Sequence, residues 1–313
     1  MIESVRGTRV LEGIDAENFT KVVNKFIEIS EEEGFKLIKL PTLEKEELFT
    51  RTVGEFTDIV TKQMFNFKDK KGRQLVLRPE GTAGVVRNYL EQKYISEKKY
   101  YYSEQMFRYE RPQKGRYREF HQVGAEIIGS KSCDMTSVVD ITLLGVKFLS
   151  TILPISSDFI LNINSIGSSE ERKIYKEALY EYYQTYSSNL SDTSLKRLHT
   201  NPLRILDSKE EQDVLLSLNA PKFKDYRDNK TQEEFEIYKN QLSDINFIED
   251  PTLVRGLDYY NGITFEFLPK KQTGSQDALG GGGQYDSLSS FIGSKQVNGV
   301  GLAFGVDRIM ELI

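Results

Sequence analysis

The chain has 313 residues, 38% hydrophobic and 28% charged, which is enough for one large domain or two with an ample core. Its formal net charge of −5 excludes bulk attraction to nucleic acid, so any RNA contact must come from local patches such as Lys93 with Lys98 and Lys99, or Lys196 and Arg197 with Arg204. A single cysteine, Cys133, and two histidines, His121 and His199, exclude an internal disulfide, a cysteine-based zinc site and a multi-histidine metal centre.

Residues 18–33 carry Phe19, Val22, Val23, Phe26 and Ile29 at helical spacing, with Gly34 as the stop. A short strand at 36–40 follows, closed by Pro41. Residues 74–78 read as a strand, and 82–91 as a helix opening at Gly81. Next comes a strand–turn–strand over 100–128. Met106, Arg108 and Glu110 share one face by alternation, and Phe120, Gln122, Gly124 and Glu126 share another. Pro112 and Gly115 put the hairpin tip at 113–117. Residues 134–149 read as a helix with a broad apolar face, and Cys133 sits in an ordinary lead-in to it, no setting for a nucleophile. A strand at 159–166 ends the first part.

Residues 168–248, rich in Lys, Glu, Tyr and Ser, read as several short helices inserted as a subdomain. The β-type pattern returns after Pro251, with a strand at 263–268 and a glycine-dense turn at 280–283. A helix near 286–291, a strand at 300–304 and a helix at 306–312 complete the chain. Hairpins with segregated helices predict an α+β fold on an antiparallel sheet. The expected parts are 1–167, 168–248 and 249–313. No strand–GxGxxG–helix unit is present, which argues against a Rossmann or P-loop site. The apolar runs read as too short for a bilayer and the amino terminus has no signal-peptide core, so a cytoplasmic protein is expected.

The hairpin combines arginines, carboxylates and aromatics. It is either a charged surface or a polar binding wall, and guanidinium forks suit phosphate. Its sequence, Phe107-Arg-Tyr-Glu-Arg-Pro-Gln-Lys-Gly-Arg-Tyr-Arg-Glu-Phe-His-Gln122, resembles motif 2 of class II aminoacyl-tRNA synthetases in its histidyl-tRNA synthetase form. The helix–strand–proline at 18–41 resembles their dimer-forming motif 1, and Gly301-Leu-Ala-Phe-Gly-Val-Asp-Arg308 resembles motif 3. Leu253-Val-Arg-Gly-Leu-Asp-Tyr-Tyr260, Arg78-Pro-Glu-Gly-Thr82 and Ala278-Leu-Gly-Gly-Gly-Gly-Gln-Tyr-Asp286 resemble signatures of the histidine enzymes. The stretch 201–209 resembles part of the bacterial insertion.

The resemblance implies a class II sheet with flanking helices and a helical insertion, a homodimer, and ligation of L-histidine to tRNA(His) at the expense of ATP with Mg²⁺ carried by the nucleotide. It implies that Arg108 bridges the histidine carboxylate and the α-phosphate, and that Arg255 reaches the same phosphate. Glu110 would sit near adenine, Phe120 would stack on it, Arg116 would hold the γ-phosphate, and Arg308 would cover the nucleotide from the other side. Glu80 and Thr82 would hold the α-ammonium, Gln122 and Glu126 the ammonium and imidazole, and Tyr259, Tyr260 and Tyr285 would line the imidazole pocket. Plainer readings stand beside these: Thr82 as a helix cap, and Arg308 paired with Asp307 or Glu311. The chain departs from the family at Gln284, usually Arg, at Ser287, usually Gly, and at Val10, where Arg6-Gly-Thr-Arg is usually followed by Asp. It ends at Ile313, directly after motif 3, so the family's anticodon-binding domain is expected to be missing. That raises the alternative of the shorter paralogue, a histidine-binding regulatory subunit of ATP phosphoribosyltransferase.

Overall fold

A computed structural model of the chain describes residues 2–54, 57, 59–129, 134–153, 159–206, 208–270, 278–293 and 295–313. Cys133 and its expected lead-in to a helix lie outside these residues, as does Asp207. The elements are α1 (Ile14–Glu32), β1 (Lys36–Leu37), β2 (Leu43–Lys45), α2 (Glu46–Val53), β3 (Asn66–Lys68), β4 (Gln74–Leu77), α3 (Thr82–Glu91), β5 (Lys98–Phe107), β6 (Glu119–Gly129), α4 (Met135–Ile152) and β7 (Phe159–Ser165). After these come α5 (Ser169–Thr185), α6 (Asp192–Thr200), α7 (Glu211–Leu218), α8 (Asn229–Gln241), β8 (Phe247–Glu249), β9 (Asn261–Pro269), β10 (Gly280–Gln284), α9 (Leu288–Ile292), β11 (Asn298–Gly305) and α10 (Val306–Met310).

Among the described residues the strands form an eight-stranded sheet, ordered β1-β5-β6-β11-β10-β9-β7-β8, and a three-stranded sheet, β2-β4-β3. The inner ladders are antiparallel, as expected, but both edges are closed by parallel pairs, β1 with β5 and β7 with β8. In the β5–β6 ladder Met106 faces Phe120, Glu104 faces Gln122 and Tyr102 faces Gly124. Opposed residues in a ladder share a face. The two residue sets read as separate faces are therefore one face, which concentrates their chemistry.

The opposite face is apolar. Tyr101, Val123, Ala125 and Ile127 point into a core built with Val22, Phe26 and Ile29 of α1 and Ile141, Leu144, Phe148 and Leu149 of α4. Each valine, leucine, isoleucine and phenylalanine among them contributes about 1.5–3 kcal/mol on burial. Helix α1 stops where expected, because Gly34 adopts a left-handed φ of 82°. Helix α4 corrects the reading of the apolar runs. Its 18 residues reach a mean hydropathy of 1.5 and are, by length and composition, sufficient to cross a membrane. Here that apolar length is spent on the core, against the sheet and α1.

The glycine run corrects a second expectation. Residues 280–284 are not a turn but an inner strand, paired with β9 on one side and β11 on the other. A Cβ on Gly281 would come within 2.6 Å of the Phe265 carbonyl oxygen and 2.7 Å of the Arg255 guanidinium. The glycines thus serve close approach of neighbouring strands and of a side chain lying on the sheet. Between β7 and β8, helices α5 to α7 gather around their own cluster of Tyr175, Leu179, Tyr183, Leu198, Ile205 and Phe223, whereas α8 packs Phe235 and Tyr238 into the main core beside α4. A capping box on Ser168 and Glu171 starts α5. Asp213, fully buried, accepts hydrogen bonds from the Ser191 amide and from the hydroxyls of Ser191, Ser194 and Ser208 at 2.6–2.9 Å.

Candidate active site

With helices over one face, the other face of β5, β6, β9, β10 and β11 opens into a cleft of about 970 Å³. Every sequence-predicted site residue lines it except Glu126 and Tyr285, which lie just beneath its floor. The cleft has two chemically distinct ends.

The floor of the first end is acidic and aromatic. Glu80, at the opening of α3, accepts hydrogen bonds from the amides of Thr82 at 2.7 Å and Ala83 at 3.0 Å, so this carboxylate caps the helix. The Thr82 hydroxyl does not cap; it donates to Glu126 at 2.6 Å. Tyr285 donates to the other Glu126 oxygen at 2.7 Å. Gly301 on β11 makes room for this carboxylate, because a side chain there would collide with it. Burial raises the pKa of Glu126 to about 8, against the pull of the Thr82 and Tyr285 hydroxyls. Glu80 is raised as well, again by burial, with the Ala83 and Thr82 amides and Arg108 opposing. Tyr259, Tyr260 and Tyr285 close this end, with ring centroids 4.7 Å apart for the first pair and 6.1 Å for Tyr259 and Tyr285. Tyr259 also donates to Glu80 at 3.4 Å.

The second end is cationic. The Arg108 Nε donates to the Pro79 carbonyl at 2.9 Å, and its guanidinium lies 5.2 Å from the centre of the Phe120 ring. Arg255 bonds Glu266 of β9 at 2.5 Å and crosses the sheet over Gly281. Arg116, at the hairpin tip, pairs with Glu110. Arg308 makes neither of the ion pairs considered for it. It bonds the carbonyls of Gly115 at 3.3 Å and Ala278 at 2.5 Å, tying α10 to the hairpin tip. Asp307 instead pairs with Arg9 and accepts from the His121 amide at 3.1 Å. Gln122 lies between the two ends on the same face.

Three contributors escaped the sequence reading. Glu266 had a signal in strand alternation, since it falls on the face of β9 next to Gly281. Tyr102, fully buried, lines the cleft opposite Gly124. Arg9, stacked 4.2 Å from the Tyr117 ring, anchors the amino-terminal segment whose role the departure at Val10 had put in doubt. The departures at 284 and 287 have local structural uses. Gln284 accepts from the Ile263 amide at 2.8 Å at the register shift of β10, and Ser287 accepts from Asn261 at 3.4 Å. Of the basic patches, Arg204 turns inward to Asp258 at 2.9 Å and Lys99 lies 3.4 Å from Asp140.

Comparison with known proteins agrees with this arrangement. The histidyl-tRNA synthetase family model matches residues 7–309. A histidine–tRNA ligase of Hydrogenovibrio crunogenus is 41% identical over 316 residues, covering 100% of this chain and 73% of the relative. That of Thermosipho melanesiensis is 43% identical over 317 residues, covering 99% and 74%. The crystal structure of apo histidyl-tRNA synthetase from S. aureus superposes with a TM-score of 0.78 at 31% identity, covering 100% of this chain and 73% of that one. The cleft, the motifs and these relatives agree: the chain belongs to the histidyl-tRNA synthetase family of class II aminoacyl-tRNA ligases.

Proposed function

We propose that this chain activates L-histidine with ATP to histidyl-adenylate and passes the histidyl group to the 3′ end of tRNA(His). The observation that carries the reading is the polarity of the cleft, where a buried pair of carboxylates joined through Thr82 adjoins a row of arginines. A zwitterionic amino acid fits with its ammonium toward Glu80, Thr82 and Gln122, its ring toward Glu126, Tyr259, Tyr260 and Tyr285, and its carboxylate toward Arg108.

An α-carboxylate is already ionised at neutral pH, so its attack on the α-phosphorus needs no general base. Pyrophosphate leaves as the mixed anhydride forms. Catalysis then consists of alignment and charge neutralisation. Arg108 and Arg255 face the α-phosphate, Arg116 and Arg308 the outer phosphates, and Phe120 with Glu110 the adenine end. In the second step a 3′-terminal hydroxyl of the tRNA attacks the activated carbonyl and AMP leaves. Arg116 pairs with Glu110 and Arg255 with Glu266, so phosphate would draw each arginine from a carboxylate. Among the described residues no group of three or more His, Cys, Asp or Glu side chains is set to hold a metal. Mg²⁺ fits this site as an ion that arrives on the nucleotide, whose phosphate oxygens supply its ligands.

The reading extends to a cytoplasmic homodimer through the motif 1 region, with 168–248 as a helical unit set between 1–167 and 249–313. The relatives' name as ligases favours catalysis over the regulatory-subunit alternative. Histidine-dependent ATP–pyrophosphate exchange tests it. Exchange is expected at neutral pH with Mg²⁺, and Arg255→Ala or Arg108→Ala should lower it by about 10²–10³-fold with the fold retained. A dimeric, histidine-binding wild type without exchange would overturn the proposal and favour the regulatory alternative.

A further inference from the structure

At the acidic end of the cleft one polar group is left unsatisfied. Tyr102 is fully buried and its ring is held among Leu40, Val85 and Met106. Its hydroxyl end reaches the cleft floor between Gly81 and Gly124, each of which lacks the side chain that would occupy that space. There the hydroxyl is sealed from water and makes no hydrogen bond among the described residues, although Thr82 lies beside it. The Thr82 hydroxyl donates its only proton to Glu126 and so has none to give the Tyr102 oxygen. Buried hydroxyls are ordinarily paired, and one left orphaned weakens the fold without return unless a ligand completes it.

We propose that the Tyr102 hydroxyl is a specificity contact for the amino acid, accepting a hydrogen bond from one of its nitrogens. This rests on the histidine-activation reading above. The chemistry suits the location. The floor offers carboxyl and hydroxyl oxygens that accept from N–H donors, and a tyrosine oxygen adds an acceptor without adding charge. Gly81 and Gly124 then have a purpose besides backbone geometry: a side chain at either would collide with the end of the Tyr102 ring, so they leave room for its hydroxyl to reach the floor.

The test is Tyr102→Phe, which keeps the ring and its packing. Thermal unfolding of the ligand-free protein should be unchanged or shifted upward, because an unpaired buried group has been removed. The upward shift produced by L-histidine should shrink. In pyrophosphate exchange, KM for histidine should rise about tenfold, while kcat and KM for ATP stay within about twofold. Tyr101→Phe is the control. The Tyr101 hydroxyl donates to Glu31 at 2.6 Å on the far face, so its loss should lower stability and leave KM for histidine alone. Imidazole-lactate, which lacks the ammonium, assigns the nitrogen by whether the Tyr102→Phe effect on binding persists (ring) or disappears (ammonium). A variant that loses stability yet keeps the full histidine shift, or one with unaltered KM, overturns the proposal. Calorimetric histidine binding by the wild type separates this failure from failure of the proposed function: without such binding the latter falls first.

Discussion

Glu126→Gln should flatten the pH dependence of stability, and the size of the effect follows from the burial of this carboxyl. Its pKa is about 8 in the folded protein against 4.5 when solvated. Below 4.5 the group is protonated in both states and has no effect. As pH rises the unfolded chain ionises first, so stability is lost at about 1.4 kcal/mol per pH unit until the folded carboxyl ionises near 8. The whole window amounts to roughly 3–5 kcal/mol, or about 2 °C in Tm per pH unit for a chain of this size. Glutamine has nearly the same shape and does not titrate. The Thr82 and Tyr285 hydroxyls can rotate so that one donates to its oxygen and the other accepts from its amide.

Thermal unfolding of both proteins, measured from about pH 5 to pH 8 without ligand, isolates this carboxyl. Glu80, also raised by burial, contributes a slope of the same sign in both proteins. His121, which burial lowers to about 4, contributes the opposite slope because it resists protonation on the acid side. Both cancel in the difference. The variant should gain on the wild type steadily as pH rises, and should bind histidine poorly. Equal slopes in the two proteins would refute the assignment of a neutral buried carboxyl at this position.

Two structural predictions are sharper than the usual surface substitution. Gly282→Ala should destabilise by more than about 3 kcal/mol or prevent folding, since a Cβ would collide with the Gly301 carbonyl across the ladder; soluble yield and a urea midpoint measure it, and a wild-type midpoint would show β10 to be mispaired. Asp213→Ala should leave the donors of Ser191, Ser194 and Ser208 unpaired, weakening the helical segment by about 2–4 kcal/mol. Limited proteolysis should then cut within 186–226 while the sheet core resists, and uniform resistance would count against a separately held segment.

Much of the site was legible because its chemistry is local. The hairpin's alternation, its Pro112–Gly115 turn and the Glu80–Thr82 helix start are short-range patterns, and the structure brings their side chains to one cleft. Less legible were contacts between distant segments. Arg9 with Asp307, and Arg308 with the Gly115 carbonyl, join residues far apart in the chain, and no spacing rule anticipates them. The strands β2, β3 and β8 were also missed, being too brief to show a period, and so was α2, although Leu48, Phe49, Thr52 and Val53 carry helical spacing.

The sequence by itself determined the α+β class, the long elements and most of the residues that line the cleft, because helix period, strand alternation and arginine-rich turns are properties of neighbouring residues. Only the tertiary structure decided that 280–284 is an inner strand and that the two hairpin strands present one face. It also decided that Glu126 lies fully buried beneath the floor and that the Tyr102 hydroxyl has no partner among the described residues. Each of these depends on what a residue meets across a ladder or across the core, where close packing excludes water and gives glycine, carboxylate and hydroxyl a meaning that chain order does not carry.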